Sequence, residues 1–382
     1  MKFLKWFAFI VYWPLAWVIG GIGCFALAFS SVNASAYIIA WICFLLGLGI
    51  ALSRLVWRKK WLLRIGLGIA AIAVLSAGGV SVREWWARGR FDVLREGIVW
   101  SDYYPFEPDN KLVKTDCPPE FRFEGQAPKV VCALALYPIG AAAFEAQGTR
   151  ETVPNSAILP CSSPYAYNSL LEASWSSDAI LALAPSDDQR RLAKEKGLDY
   201  ELTPIAKDAF VFFVSKDNPV EGLTSQQIRD IYSGKITSWR ELGVNLGAEL
   251  VPYQRNEGSG SQTALERLMW DTPIIPPPQE NRIGDMGGII TATADYRDRP
   301  GALGFSFRYY STELVRNGKI KLLAIDGIPP TVENIRSGAY PFVETAYAIT
   351  VKPRKGNTKK FIDFLASPAG RDLVERTGYV AP

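Results

Sequence analysis

No charged residue occurs from Trp6 to Ser53, nor from Ile65 to Val82, whereas after Arg83 charge recurs at ordinary density. This split constrains the chain more than any other feature. A long uncharged apolar run is stable in lipid as helix, because a helix satisfies every backbone amide within its own segment. The first run is too long for one span of about 20 residues, and the polar cluster Ser30-Ser31-Val32-Asn33-Ala34-Ser35 divides it. About three transmembrane α-helices are expected in a region 1–83, near 6–29, 37–56 and 62–82. Lys2 and Lys5 precede the first span, and Arg54, Arg58, Lys59, Lys60 and Arg64 fill the second connection. The positive-inside bias then puts the N-terminus in the cytoplasm and everything after Arg83 outside the cytoplasmic (inner) membrane. A cleavable signal peptide fits the first span poorly, since two further spans follow it.

Composition removes several function classes. Among 382 residues there is no histidine, which excludes His-dependent triads, His general bases and His metal ligands. Cys117, Cys132 and Cys161 lie beyond the apolar runs and no pair has C-x-x-C spacing, so no metal or redox motif is expected. An extracytoplasmic location would allow one disulfide among these three, with one thiol left over. The net charge of +4 is small for this length, and several positive residues flank the apolar runs, so no nucleic-acid partner is expected. No catalytic residue, metal or cofactor is predicted.

Beyond Arg83, Glu84–Gln126 reads as a stalk and lead-in without a motif. Lys129–Leu136 and Asp178–Ala184 are short apolar runs followed by helix-like segments, and Ala209–Val214 is apolar on both alternating faces, as in a strand buried on both sides. Leu223-Thr224-Ser225-Gln226-Gln227-Ile228 carries a capping box, Thr224 with Gln227, and a hydrophobic staple, Leu223 with Ile228; Gly234 ends that helix. Further strands are expected at Ala302–Ser306, Ile320–Ile325 and Tyr340–Val351, and a final helix starts at Ser367-Pro368 and stops at Gly378. Strands alternating with helices argue for an α/β layer with a mostly parallel sheet.

One turn carries chemistry. In Arg255-Asn256-Glu257-Gly258-Ser259-Gly260-Ser261-Gln262-Thr263, an amphipathic helix marked by Leu265, Leu268 and Met269 begins where the serines stand. Small hydroxyls, glycines and the unpaired amides of a first helical turn make an anion site, to which Arg255 adds a fixed positive fork. The same string also reads as a Ser-capped helix after a Gly-rich turn. A nucleophile reading of Ser259 fails, because the spacing is not G-x-S-x-G and no histidine exists to activate it.

Together with that turn, Phe210-Val211-Phe212-Phe213-Val214-Ser215-Lys216-Asp217-Asn218-Pro219, Leu223-Thr224, and Ile231-Tyr232-Ser233-Gly234-Lys235-Ile236-Thr237-Ser238-Trp239 resemble the phosphate-binding proteins of ABC transporters, members of the type II periplasmic binding proteins. Smaller similar pieces, among them Ala135-Leu136-Tyr137-Pro138 and Ser367-Pro368-Ala369-Gly370, follow in the same order across Lys129 to Pro382. The resemblance implies an α/β, two-lobed solute-binding fold over 127–382, with one lobe at about 127–206 and 338–382 and the other at about 207–337. It implies a small anion, phosphate, as ligand, and admits an ABC permease as partner, for uptake or sensing. Residue by residue it places Arg255, Ser259, Gly260 and Ser261 on the anion, with Ser162 and Ser163 from the opposite lobe. The opposite lobe departs from the family. Cys132-Ala133-Leu134-Ala135 stands where many relatives have Gly-Ser-Thr-Ala, and Ile180-Leu181-Ala182-Leu183 stands where some have an Asp; Pro164 is expected to disturb the helix start beside the serines. A degenerate receptor or assembly module that no longer binds phosphate is the alternative.

Overall fold

In the computed structural model, residues 98–172, 177–294, 300–351 and 356–382 are described. The three expected spans lie outside them, and among the described residues no helix is long and apolar enough to cross a membrane. The first part of the chain runs β1 (Val130–Ala133), α1 (Tyr137–Gln147), β2 (Ile158–Cys161), α2 (Ser163–Leu171), β3 (Ala179–Leu183), α3 (Asp187–Glu195) and β4 (Glu201–Ser215). Then come β5 (Gly222–Leu223), α4 (Ser225–Tyr232), β6 (Val251–Pro252), β7 (Gln254–Arg255), α5 (Gly260–Met269), β8 (Arg282–Ile283), α6 (Met286–Ala294) and β9 (Ala302–Phe307). The last part is β10 (Ile320–Leu322), β11 (Ala324–Ile325), α7 (Val332–Arg336), β12 (Val343–Thr350), α8 (Gly356–Ala366) and α9 (Pro368–Thr377).

The main sheet has the order β2-β1-β3-β12-β4-β9-β6, with β10 also on β4. Its topology turns on β4. Residues Glu201 to Ala209 pair antiparallel with β12, whereas Phe210 to Phe213 pair antiparallel with β9. One strand thus belongs to two half-sheets. The β2-β1-β3 and β6-β9 pairs are parallel and the β12 and β4 pairs antiparallel, so the sheet is mixed rather than mostly parallel.

Alternation within the strands sets the layers. Val130, Cys132, Ala179 and Leu181 face one hydrophobic cluster, which α1 and α8 complete through Phe144 and Phe361, edge-to-face at 5.0 Å. Val131, Ile180, Ala182 and Ile349 face the other way, onto Ala166, Tyr167 and Leu170 of α2. In the second half-sheet Phe210, Phe212 and Phe305 pack with Tyr232 of α4. The lead-in from Ile98 also packs. Trp100 meets Tyr137 edge-to-face at 5.8 Å, and Glu145 of α1 accepts from Phe106 N at 3.0 Å and Asn110 Nδ2 at 2.8 Å. Cys117, Cys132 and Cys161 are free thiols, so the disulfide that an extracytoplasmic location would allow is not formed.

Candidate functional site

Arg255 sits in β7, whose parallel pairing with β8 places it opposite Ile283. That register brings the end of β8 under the guanidinium: Nε donates to Ile283 O at 3.0 Å and Nη2 to Gly284 O at 3.2 Å. Nη1 is buried without a hydrogen-bond partner, on a residue only 8% exposed. Burial lowers the guanidinium pKa from its ordinary value, and the Asp285 carboxylate opposes that shift. Gln262 couples this ribbon to α5, accepting from Arg255 N at 2.9 Å.

The turn between Arg255 and α5 is built by its own residues. Gly258 takes φ +72°, a left-handed conformation that side chains disfavour. Ser259 caps α5, its Oγ accepting from Gln262 N at 3.3 Å. The capped-helix reading of this string is therefore correct, but it leaves two groups unexplained. Ser261, 2% exposed, has a hydroxyl with no partner, as has Arg255 Nη1. A buried unpartnered polar group costs about 1–3 kcal/mol, and both of these belong to residues lining one cleft of about 70 Å³.

Across the cleft stands the start of α2. Pro164 does not disturb it, because it falls in the first turn, where a missing N–H removes no helical bond. Ser162 is the N-cap residue but its side chain makes no capping bond. Ser163 lies close to Gly260: a Cβ added to that glycine would sit 3.0 Å from Ser163 Oγ and 3.5 Å from Leu183 Cδ1. The structure thus brings Ser162, Ser163, Arg255, Ser259, Gly260 and Ser261 to one cleft. The rest of the wall is chiefly apolar, with Leu134, Leu136, Leu183, Met286 and Phe307.

A family model described as a PBP superfamily domain matches residues 170–369, just over half of the chain. The chain belongs to the PBP superfamily. It is 24% identical over 183 residues to the phosphate-binding protein PstS of Borreliella burgdorferi, a match covering 47% of this chain and 64% of that protein. Against the phosphate-binding protein PstS of Bacillus subtilis it is 27% identical over 168 residues, covering 44% and 53%. The chain therefore spans less than two thirds of the length of these relatives. A solved structure from Clostridium perfringens, a substrate-binding protein assigned to a phosphate ABC transporter and carrying bound phosphate, superposes with a TM-score of 0.53 at 24% identity. That match covers 67% of this chain and 100% of that one, and shows the shared α/β fold.

The PBP domain also places in the cleft a residue the sequence reading missed. Asp208, 4% exposed, lines it from the point where β4 passes between half-sheets. Its carboxylate accepts from Ala209 N at 2.9 Å and Tyr309 N at 3.1 Å, and Arg308 Nε lies 3.8 Å away. Burial pushes its pKa up to about 7, against the pull of Arg308 and the two amides. Arg308 Nη2 in turn donates to Gly378 O, and Tyr379 donates its hydroxyl to Ala135 O at 2.6 Å. The charged pair Lys207-Asp208 between Ala206 and Ala209, directly before the apolar run Ala209–Val214, is the sequence signal for this residue.

Proposed function

We propose that the chain captures a small oxyanion of the phosphate class between two lobes, about 127–206 with 338–382 and about 207–337, without catalysis. The observation that carries the reading is two unpartnered buried donors, Arg255 Nη1 and Ser261 Oγ, on residues that line the cleft at the N-terminus of α5. Burial makes those donors strong toward an anion, since water no longer competes for them. The names of the PstS relatives agree with a phosphate-class ligand. A domain of this kind, tethered by the apolar runs before Arg83 and facing out of the cytoplasmic membrane, would serve an ABC permease or a sensor.

Titration calorimetry of the full-length chain in detergent with inorganic phosphate tests this. Saturable heat that Arg255→Ala abolishes is expected; no heat and no thermal shift at millimolar phosphate would overturn phosphate as the ligand. A second reading rests on Ala133, Leu134, Ala135 and Leu183, apolar residues that line the cleft. On that reading the domain is a receptor or assembly module without phosphate binding, and Arg255→Ala leaves its function in cells intact.

A further inference from the structure

Beyond Met269 the chain leaves α5 and enters a loop that holds apolar side chains in water. Trp270, at φ +53°, is 85% exposed, and Ile275 is 51% exposed. Pro273, Pro276 and Pro278 are exposed beside them, and Asp271 is the one charged residue in 270–278. The loop is nonetheless fixed to the domain. Thr272 N donates to Met269 O at 2.9 Å, Ile275 N to Tyr232 O at 2.9 Å and Gln254 Nε2 to Ile275 O at 2.8 Å. The Ile275 side chain also fills the space that a Cβ on Gly234 would need. Few main-chain donors remain open. Pro273, Pro276, Pro277 and Pro278 have no N–H, and the amides of Trp270, Thr272 and Ile275 find main-chain acceptors, which leaves those of Asp271 and Ile274.

These open and closed donors separate two kinds of partner. A protein groove offers acceptors to a docked segment, and main-chain hydrogen bonds then supply part of the affinity. Lipid offers none, so each open amide taken out of water there costs free energy. A loop with exposed Trp and Ile but almost no open amides suits lipid. We infer that 270–278 rests on the membrane surface, with Trp270 and Ile275 at the boundary of headgroups and acyl chains, where tryptophan is enriched. This contact is independent of the anion site and requires only the tether proposed above. The stretch from Val82, where the last apolar run ends, to Ile98 reaches at most about 55 Å, which keeps lipid within range of the domain. Ser259 and Gly260 stand at the other end of α5, about 15 Å from Trp270. Lipid thus holds this lobe by the end of α5 remote from the cleft.

Photo-crosslinking of the full-length chain in phosphatidylcholine nanodiscs tests this, with p-benzoylphenylalanine in place of Trp270, of Ile275 or, for comparison, of Leu192, an exposed residue of α3. Mass spectrometry is expected to find phosphatidylcholine adducts from the first two positions and none from Leu192. Adducts confined to the chain itself or to a second copy overturn the lipid contact, as does equal lipid labelling from Leu192. The same chains irradiated in cells should again label lipid; an adduct with another protein in its place shows a docked partner and overturns the inference. A chain that does not enter nanodiscs overturns the tether and the contact together. Calorimetry with inorganic phosphate on the same samples reads the anion site separately.

Discussion

Ser261 keeps its hydroxyl out of water with no partner in the protein, so its removal should cost the fold little, whereas Arg255 also holds Ile283 O and Gly284 O through Nε and Nη2. For Ser261→Ala we expect the affinity for the bound oxyanion to fall about tenfold, as for a lost hydrogen bond, with a melting temperature unchanged or raised. Calorimetry and a thermal melt on the same sample check both halves of that expectation. Asp208 behaves differently, because its burial acts on the fold itself. Its carboxyl pKa stands at about 7, above the ordinary 3.8. The folded state therefore holds a proton that the unfolded chain releases. That contribution is complete below the ordinary value and is lost as pH rises through about 7. Wild-type stability should thus decline from about pH 4 to about pH 7 relative to Asp208→Asn and level off above. The difference between the two proteins' denaturation midpoints across that range is the measurement; a flat difference would show that Asp208 stays ionised in the fold.

Among the elements, those specified by local chemistry were legible and those specified by distant partners were not. In α4 the capping box forms as read: Thr224 Oγ1 accepts from Gln227 N at 3.0 Å, and Gln227 Oε1 accepts from Thr224 N at 2.7 Å. Both halves of that interaction lie within four residues, so a short stretch of sequence contains it. Thr224→Ala should lower stability by about 1 kcal/mol and leave oxyanion affinity unchanged, measured by urea unfolding and calorimetry. Strand β4 shows the opposite case. Its apolar stretch Ala209–Val214 was readable, but the strand begins at Glu201 and carries Pro204, Lys207 and Asp208. Those residues argue against a strand locally. They are accommodated because β12 runs alongside with a register shift between Ala346 and Tyr347, beside Pro204. The expected strand Ile320–Ile325 also divides, β10 joining β4 and β11 joining β5, a split that depends on partners about 100 residues away. Missing the first half of β4 meant missing Asp208, since a charged residue is not sought in a strand that has not been recognised. Gly301 belongs to the same class. A Cβ there would stand 1.8 Å from Glu249 O, beside the carbonyl that accepts from buried Trp239 Nε1 at 2.9 Å. Gly301→Ala should destabilise the second half-sheet by about 1–3 kcal/mol, as overpacked cores are destabilised, seen as a lowered midpoint of urea unfolding.

At the scale of the whole molecule, the cleft lies where β4 passes from one half-sheet to the other, and its walls come from segments far apart in sequence: α2, β7 with α5, and the C-terminal Tyr379. The Arg255 side was legible because its spacing is local, whereas the Leu134 and Leu183 side owes its meaning to what it faces. The setting of the domain follows from the apolar runs instead. If the runs near 6–29, 37–56 and 62–82 cross the membrane in the sense set by Lys59 and Lys60, the second connection lies inside and the binding domain outside. An alkaline phosphatase reporter, active only where its disulfides form, discriminates these compartments. Fused after Lys60 it should be inactive, and fused after Pro382 it should be active, with a fluorescent protein that folds in the cytoplasm giving the inverse pattern. An inactive reporter at both positions would place the cleft inside the cell, where it could not collect a solute for import.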